Sequence, residues 1–479
     1  MKKTGLSVNT DTMKMRNWFQ NAVLLRQFEE GASVRKAMLI GFLLRIVPVM
    51  VWLSWPCVRD ECTYLRLSER ILDGDGMTAS NGWIWAPGYP VLVSIHEWFT
   101  GYGAGIKTTQ CIASAGVMVL LFHLSRRFAN AKVGRVAVWM YALSPTQIFF
   151  AQSLWSECLY GGLLLLGVWF FEQATTVSSG EQETSGLKKA LLTGVLVGIC
   201  VLFRGVATYM LPIFCVALIW RRWTSRIAWK QSVVLIFGTV LMVGPYSTYA
   251  SKKFGSFMIS DRTLGQMMWL GNNDFEPIAF DWGNGPLSNL AFERHTKSGR
   301  EPCAKKKQPV ARDKCQTKAG IDWIKSNPQT FIERVPLRIA QMMNPHSFLT
   351  RHLRWGNMQG IPRWVDEAII AVNVAWNLMI LWLGTIGLVL YGHRGKGLLV
   401  SGIWLYHVAA ISLLAGLTRY RVPLEPLLMI YAGWFMVNWG SNWQNASTPR
   451  KVSAVIFGAL VVFFTMWFFP TGWVQWRHW

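Results

Sequence analysis

Stretches of roughly 20 mostly apolar residues recur along this chain, each long enough to cross the hydrocarbon core of a bilayer as one helix. They lie near 37–55, 108–125, 134–151, 155–172, 188–203, 206–221, 231–250, 367–391, 396–416, 421–439 and 453–470. In lipid, every backbone N–H and C=O must find its partner within the protein, and a stretch this long does so as a helix. The sequence therefore predicts an all-α polytopic membrane protein with about eleven transmembrane helices. Two places weaken the pattern: Pro145 inside 134–151, and a tight joint around Arg204 between 188–203 and 206–221.

Composition excludes the other classes. Hydrophobic residues make up 52% of the 479 and charged residues 15%, whereas soluble domains carry about 25% charged residues. The 27 Trp and 26 Phe suit a large lipid–water boundary, where aromatic rings prefer to sit. The formal charge of +23 does not imply nucleic acid, because the basic residues lie in short clusters at the ends of apolar stretches and in one hydrophilic loop. Anionic headgroups and phosphate-bearing lipids are the natural partners of such clusters.

The same clusters set the direction of the chain. Lys2, Lys3, Lys14, Arg16, Arg26, Arg35 and Lys36 precede the first span; Arg126, Arg127, Lys132 and Arg135 separate the second and third. Arg221, Arg222, Arg226 and Lys230, then His393, Arg394 and Lys396, then Arg450 and Lys451 follow at later joints. A cytoplasmic N-terminus places all of them inside, as the positive-inside rule requires. The chain then divides into a cytoplasmic segment 1–36, a transmembrane core 37–250 with a first outer loop 56–107, an extracytoplasmic loop 251–366 between spans seven and eight, C-terminal helices 367–470 and an outer tail 471–479. Residues 1–36 lack the order of a cleaved signal peptide, so the first span is expected to serve as an anchor.

The cysteines fit this division. Cys111, Cys158, Cys200 and Cys215 fall in or beside spans and are expected to pack as small apolar groups. Cys303 and Cys315 lie in the outer loop, where an oxidising compartment allows a disulfide, and Cys57 and Cys62 could also pair. Cys-x4-Cys is a poor zinc signature, and the eight histidines show no ligand spacing.

Chemistry is concentrated after the first span, where Asp60 and Glu61 stand side by side. Carboxylates at the edge of hydrocarbon are costly and are functional candidates; a solvated helix N-terminus is the plainer account. A helix is expected to follow, with Tyr64, Leu65, Leu67, Ile71 and Leu72 on one side and Arg66, Glu69 and Arg70 on the other, the pattern of a helix lying in the membrane interface. Asp73-Gly74-Asp75-Gly76 ends it. Trp85-Ala86-Pro87-Gly88-Tyr89-Pro90 then forms a rigid bend, which by itself reads equally as a turn between interfacial helices. The basic stretch Lys297 to Lys318 looks like a mobile insertion, a solvated loop or one that touches an anionic acceptor or lipid surface.

The order of first span, acidic pair, interfacial helix and Pro-Gly-Tyr-Pro resembles the GT-C glycosyltransferases that use lipid-linked sugars. It is similar to their bacterial branch related to protein O-mannosyltransferases and the lipid A aminoarabinose transferase. Further matches are Ser144-Pro145 with Ser156-Glu157, Phe203-Arg204, Leu270-Gly271-Asn272-Asn273, Ile321 to Pro328, and Thr418-Arg419-Tyr420-Arg421-Val422-Pro423-Leu424-Glu425-Pro426. The resemblance covers about residues 37–440, and the span count puts its polar elements on one side, the extracytoplasmic one.

The resemblance implies an integral membrane glycosyltransferase, for a hexose or a pentose, in the bacterial inner membrane. A sugar would leave a polyprenyl-phosphate donor as the hydroxyl of an acceptor glycolipid, glycan or protein attacks C1 from the opposite face. Such a transfer asks for a base, for which Asp60 is the choice; Glu61 would orient the site or cap the helix, and Glu157 would hold the acceptor or cap span four. The departing phosphate asks for cations, for which Arg204, Arg419, Arg421 and Arg59 are the candidates, snorkelling to headgroups being the plainer role. Tyr64, Pro87, Tyr89, Asn272 and Asn273 would line the substrate groove, and Asp60 with Glu157 could hold a divalent metal. Some relatives carry a Lys just before the Pro of the Pro-Gly-Tyr-Pro region; Trp85 and Ala86 stand there in this chain, so an arginine must substitute. A lipid-linked glycan flippase or polymerase is the alternative. A flippase would show inverted repeats and charges near mid-span, and neither is evident.

Overall fold

The protein is described by a computed structural model covering residues 31–50, 57–58, 60–78, 84–100, 103–176, 183–221, 225–274, 303–354, 362–392, 397–414 and 416–467. Among them the structure is helical, and β pairing is limited to isolated bridges from Ile84 to Thr78 and Arg262. In chain order the helices are α1 over 31–50, α2 Asp60–Leu72, α3 Gly88–Thr100, α4 Ala104–Phe128, α5 Ala131–Ala142, α6 Pro145–Gln152, α7 Glu157–Thr175 and α8 Glu183–Phe203. A 3-10 turn Gly205–Tyr209 leads into α9 Met210–Arg221 and α10 Arg226–Phe254. The segment between α10 and the next long apolar helix holds α11 Leu264–Gly271, α12 Pro309–Ser326, α13 Pro328–Met343 and α14 Phe348–Arg354. α15 Arg363–Tyr391 and α16 Leu398–Leu413 follow, then a second 3-10 turn Thr418–Leu424, α17 Glu425–Asn445 and α18 Thr448–Trp467.

Five of these, α4, α7, α8, α10 and α15, are long and apolar enough to cross a membrane, and Gly205–Trp220 and Leu398–Leu413 are shorter apolar helices. The stretch 134–151 is not one helix. It breaks at Leu143 and Ser144, because Pro145 starts a new helix at its first position with the Ser144 hydroxyl accepting from the Gln147 N–H. The expected first outer loop carries two short helices, α2 and α3, as its pattern predicts. α2 buries Tyr64 and Leu67 and ends where Gly74 and Gly76 take left-handed conformations.

Small residues set the closest packing in the core. A methyl group on Gly198 of α8 would lie 2.9 Å from Thr239 O of α10, and one on Gly238 of α10 would lie 2.7 Å from Leu191 O. Gly194, four residues before Gly198, touches Leu235 O in the same way. Two backbones in such contact gain dispersion and weak polar contacts, which drive helix association where lipid removes the hydrophobic difference.

The basic segment expected to be a mobile insertion is helical over much of its described part. Residues 309–318 belong to α12, and Cys303 is bonded to Cys315. The N–H of Gly265 donates to Asp313 at 2.8 Å and Arg262 lies 3.5 Å from the same carboxylate, which fixes α12 on α11. Residues 297–302, the tail 471–479 and most of the N-terminal segment lie outside the described residues.

Candidate active site

Four helix ends converge. α2 begins with Asp60, α7 begins with Glu157, α8 gives way to Arg204, and the second 3-10 turn carries Arg419. Arg419 Nη1 lies 2.5 Å from Asp60 Oδ2, and its Nε lies 3.7 Å from Glu157 Oε1. Arg204 Nη1 reaches the same Glu157 oxygen at 2.7 Å and donates to the Ser156 hydroxyl at 3.2 Å. Glu157 is thus shared by two guanidinium groups, while Asp60 holds one. The four charges sum to zero.

Exposure separates the members. The Glu157 side chain is 3% accessible and Asp60 is 30% accessible, so the cluster opens at Asp60. Aromatic rings enclose the cations: Arg419 lies over Trp155, Tyr420 and Phe348, and Arg204 over Tyr160 and Tyr420. Burial pulls both guanidinium groups toward neutrality, but the carboxylates outweigh it, Glu157 for Arg204 and Asp60 for Arg419, so both stay charged.

The turn bearing Glu157 is braced from below. Gln110 of α4 donates to Ser153 O at 2.8 Å and to Ala151 O at 3.2 Å, and the Tyr89 hydroxyl donates to Gln110 at 2.9 Å. Glu61 completes the brace, accepting from the Leu154 N–H at 2.8 Å and the Val58 N–H at 3.0 Å. Burial raises its proton affinity, against these two donors. Glu61 therefore lies beneath the cluster as a strut.

Several expected site residues are placed elsewhere. Arg421 is fully buried, paired with Glu425 at 3.0 Å and donating to Met342 O and Asn344 O. Two residues along a 3-10 turn point about 240° apart, so Arg421 anchors the turn while Arg419 faces the cluster. Tyr89 and Pro87 are buried, and Tyr64 packs edge-on against Trp85 and Tyr89 with its hydroxyl 3.5 Å from Ser156. They are packed into the wall beside the cluster. Gly88 belongs there because a methyl group would lie 2.5 Å from Phe203. Asn272 and Asn273 are also buried: Asn272 donates to Met268 O and accepts from Arg338, and Asn273 donates to Trp269 O, which closes the end of α11. Arg59 lies outside the described residues.

Asp261 was not singled out from the sequence. Its carboxylate lies against Gly205, next to Arg204, and accepts from Thr263 at 2.7 Å. Burial raises its proton affinity, while Arg204 acts the other way. The adjacent acidic pair that picked out Asp60 is missing here, because Asp261 stands alone several residues beyond the end of α10.

Among the described residues no group of three or more His, Cys, Asp or Glu is placed to hold a metal ion. Arg419 occupies the space between Asp60 and Glu157, and a donor set of two carboxylates interleaved with two guanidinium groups does not fit a hard cation. It fits an anion, for which arginine offers a planar fork of donors.

Acidic and guanidinium groups thus gather at helix ends, beside the two short helices α2 and α3. Comparison with known proteins gives a family match over part of the chain and a likeness of fold. Residues 94–247, about a third of the chain, match the family described as dolichyl-phosphate-mannose-protein mannosyltransferase. The fold is similar to the Archaeoglobus fulgidus oligosaccharyltransferase in its apo form, with a TM-score of 0.50, 12% identity, and coverage of 95% of this chain and 56% of that one. The same enzyme in complex with Zn and sulfate gives 0.50 and 12%, covering 93% and 52%. This chain thus spans just over half the length of the archaeal enzyme. ArnT from Cupriavidus metallidurans bound to undecaprenyl phosphate is similar at a TM-score of 0.40 and 14% identity, covering 83% and 77%. No curated protein matches the chain.

Proposed function

We propose that the protein is a membrane glycosyltransferase that moves a sugar, hexose or pentose, from a polyprenyl-phosphate donor to an acceptor hydroxyl with inversion at C1. The observation that carries this reading is the neutral cluster of Asp60, Arg419, Glu157 and Arg204 at the ends of apolar helices. The family matched by residues 94–247 takes its description from a lipid-phosphate sugar. Eleven crossings with a cytoplasmic N-terminus would put the cluster at the outer face of a bacterial inner membrane, where a donor with its prenyl chain in the bilayer presents its phosphate. Loop 251–366 and the tail would lie on the same side.

The chemistry follows from the pairing. A donor phosphate competes with Asp60 for Arg419, and its arrival frees the carboxylate. Asp60 then takes the proton of the acceptor hydroxyl as the acceptor oxygen bonds to C1. The C1–O bond to phosphate breaks with its electron pair on oxygen, and Arg204 and Arg419 stabilise the charge that develops. Glu157 keeps the two guanidinium groups apart and oriented. Free polyprenyl phosphate leaves.

The test supplies purified protein with radiolabelled polyprenyl-phosphate sugars and cell-envelope acceptors, then reads which acceptor gains label and the anomer of the new bond. Transfer with an inverted anomer is the expected outcome. Retention of configuration refutes the single displacement, and movement of intact donor across vesicles without transfer favours a flippase.

A further inference from the structure

Cys57 and Cys62 are joined by a disulfide, with their Cα atoms 5.1 Å apart. The bond closes a loop of chain that contains both Asp60 and Glu61. Inside it the Glu61 N–H donates to Val58 O at 3.2 Å, and the Glu61 carboxylate accepts from the Val58 N–H at 3.0 Å. The start of α2 is therefore closed twice, once by the bridge and once by the reciprocal Val58–Glu61 contact. Asp60 sits between these closures, one residue before Glu61 and two before Cys62, and its own ion pair is with Arg419.

The location decides what the bridge can do. Helix ends fray, because the first N–H groups lack partners within the helix. α2 has 13 residues and a polar outer face, and an isolated helix of that length is marginal in water. Asp60 is the first residue of that helix, where fraying displaces a side chain most. A base moved by about 1 Å loses on the order of a hundredfold in rate.

We propose that the Cys57–Cys62 disulfide positions Asp60 for proton abstraction, so that transfer depends on an oxidised bridge and hence on an oxidising compartment. This rests on the function proposed above. Both cysteines are partly exposed, within reach of a small reductant. Cys111, Cys158 and Cys200 are buried free cysteines and Cys215 is a half-buried one. The Cys303–Cys315 disulfide ties the segment before α12 to α12 itself, and it serves as the comparison.

The experiment uses the full chain in lipid nanodiscs carrying Cys303→Ser and Cys315→Ser, so that Cys57–Cys62 is its one bridge. Dithiothreitol gives two electrons and two protons to the disulfide, leaving two thiols and its own cyclic disulfide. On reduction, kcat for sugar transfer is expected to fall at least tenfold, with the donor KM within threefold and the melting midpoint nearly unchanged. Reoxidation restores the rate, and the Cys57→Ser, Cys62→Ser protein behaves as the reduced one. Amide hydrogen exchange in the first turn of α2 is expected to accelerate on reduction while α7 stays protected. A kcat within twofold of the oxidised protein, or unchanged exchange in that turn, overturns the proposal. If the oxidised protein transfers no sugar from any donor, the function proposed above fails, and the exchange measurement still decides whether the bridge holds α2.

Discussion

Replacing Asp60 with asparagine keeps the shape of the side chain while removing one negative charge and one proton acceptor. Two consequences of opposite sign follow for kinetics. Loss of a positioned base costs a factor of about 10²–10⁴ in the chemical step, or about 3–5 kcal/mol of barrier. The cluster also changes from neutral to a net single positive charge, because Arg204, Arg419 and Glu157 remain. A donor phosphate seated on Arg419 would lie about 6 Å from the lost charge; at an effective dielectric of roughly 40 the relief is about 1.4 kcal/mol, or about tenfold in affinity. Stability changes little, since Asp60 is 30% exposed and ion pairs of that kind contribute about 1 kcal/mol or less.

Asp60→Asn should therefore lower kcat by at least about a hundredfold and lower the donor KM by about tenfold, with a melting midpoint within about 2 °C. The assay is initial-rate transfer from a labelled polyprenyl-phosphate sugar at varied donor concentration. With chemistry this slow, KM approaches the dissociation constant of the donor, so the second effect is readable. A kcat within threefold of the parent would remove Asp60 as the base. A kcat loss with a rise in KM would make it a donor-binding residue, and the competition for Arg419 would be wrong.

Other perturbations test other parts. Arg419→Lys keeps the charge but loses the planar fork, and should raise the donor KM about tenfold; an unchanged KM in the same assay would place the phosphate elsewhere. Burial, aided by the charges of Arg354 and Arg421, lowers the His346 pKa from 6.5 to about 4. The unfolded chain therefore binds the extra proton between those values, and stability rises with pH across the window and is lost on acidification. That loss is at most about 3 kcal/mol, and His346→Gln should flatten the dependence of the unfolding midpoint on pH between 4 and 6.5; an equal slope in the variant would contradict it. Gly198→Leu drives a side chain into the Thr239 backbone and should abolish monodisperse protein on size exclusion, whereas Gly116→Ala, where a methyl group meets nothing, should not.

Much of the fold was legible because hydropathy and backbone satisfaction act locally. The acidic pair and its interfacial helix were read from the cost of charge beside hydrocarbon and from spacing on a wheel, and α2 forms there with Tyr64 and Leu67 turned inward. Pro145 was visible as a weak point, but not that Ser144 would cap a restarted helix. The basic segment misled, since lysines look like a solvated loop until the Cys303–Cys315 bond and the Asp313 contacts hold α12 in place. In the site, the span count leads one to expect Asp60, Glu157, Arg204 and Arg419 on one side, and the structure brings them into contact. The span count could not say which of Arg419 and Arg421 faces the cluster, because that depends on the local turn being 3-10. Tyr89, Asn272 and Asn273 belong to motifs that carry the resemblance, yet their side chains bond to Gln110, Arg338 and backbone. Motif membership does not distinguish a side chain that touches substrate from one that holds the turn.

Neutrality of the cluster has a further consequence. Four charges near the edge of hydrocarbon are tolerable only if each is paired, because an unpaired ion there costs several kcal/mol. The resting site meets that condition with Asp60 and Glu157 as internal anions; a donor phosphate that replaces Asp60 at Arg419 pairs the cation again and leaves the 30% exposed Asp60 carboxylate to solvent until it takes the acceptor proton. Donor binding and release of the base then become one event, and a sugar acceptor that arrives alone finds Asp60 still engaged. Ordered binding, donor before acceptor, is the expected kinetic pattern. It predicts coupling: Asp60→Asn and Arg419→Lys should lower transfer by less together than the product of their separate effects. Multiplicative effects would mean that Asp60 and Arg419 act independently, and that their 2.5 Å contact is no part of the catalytic cycle.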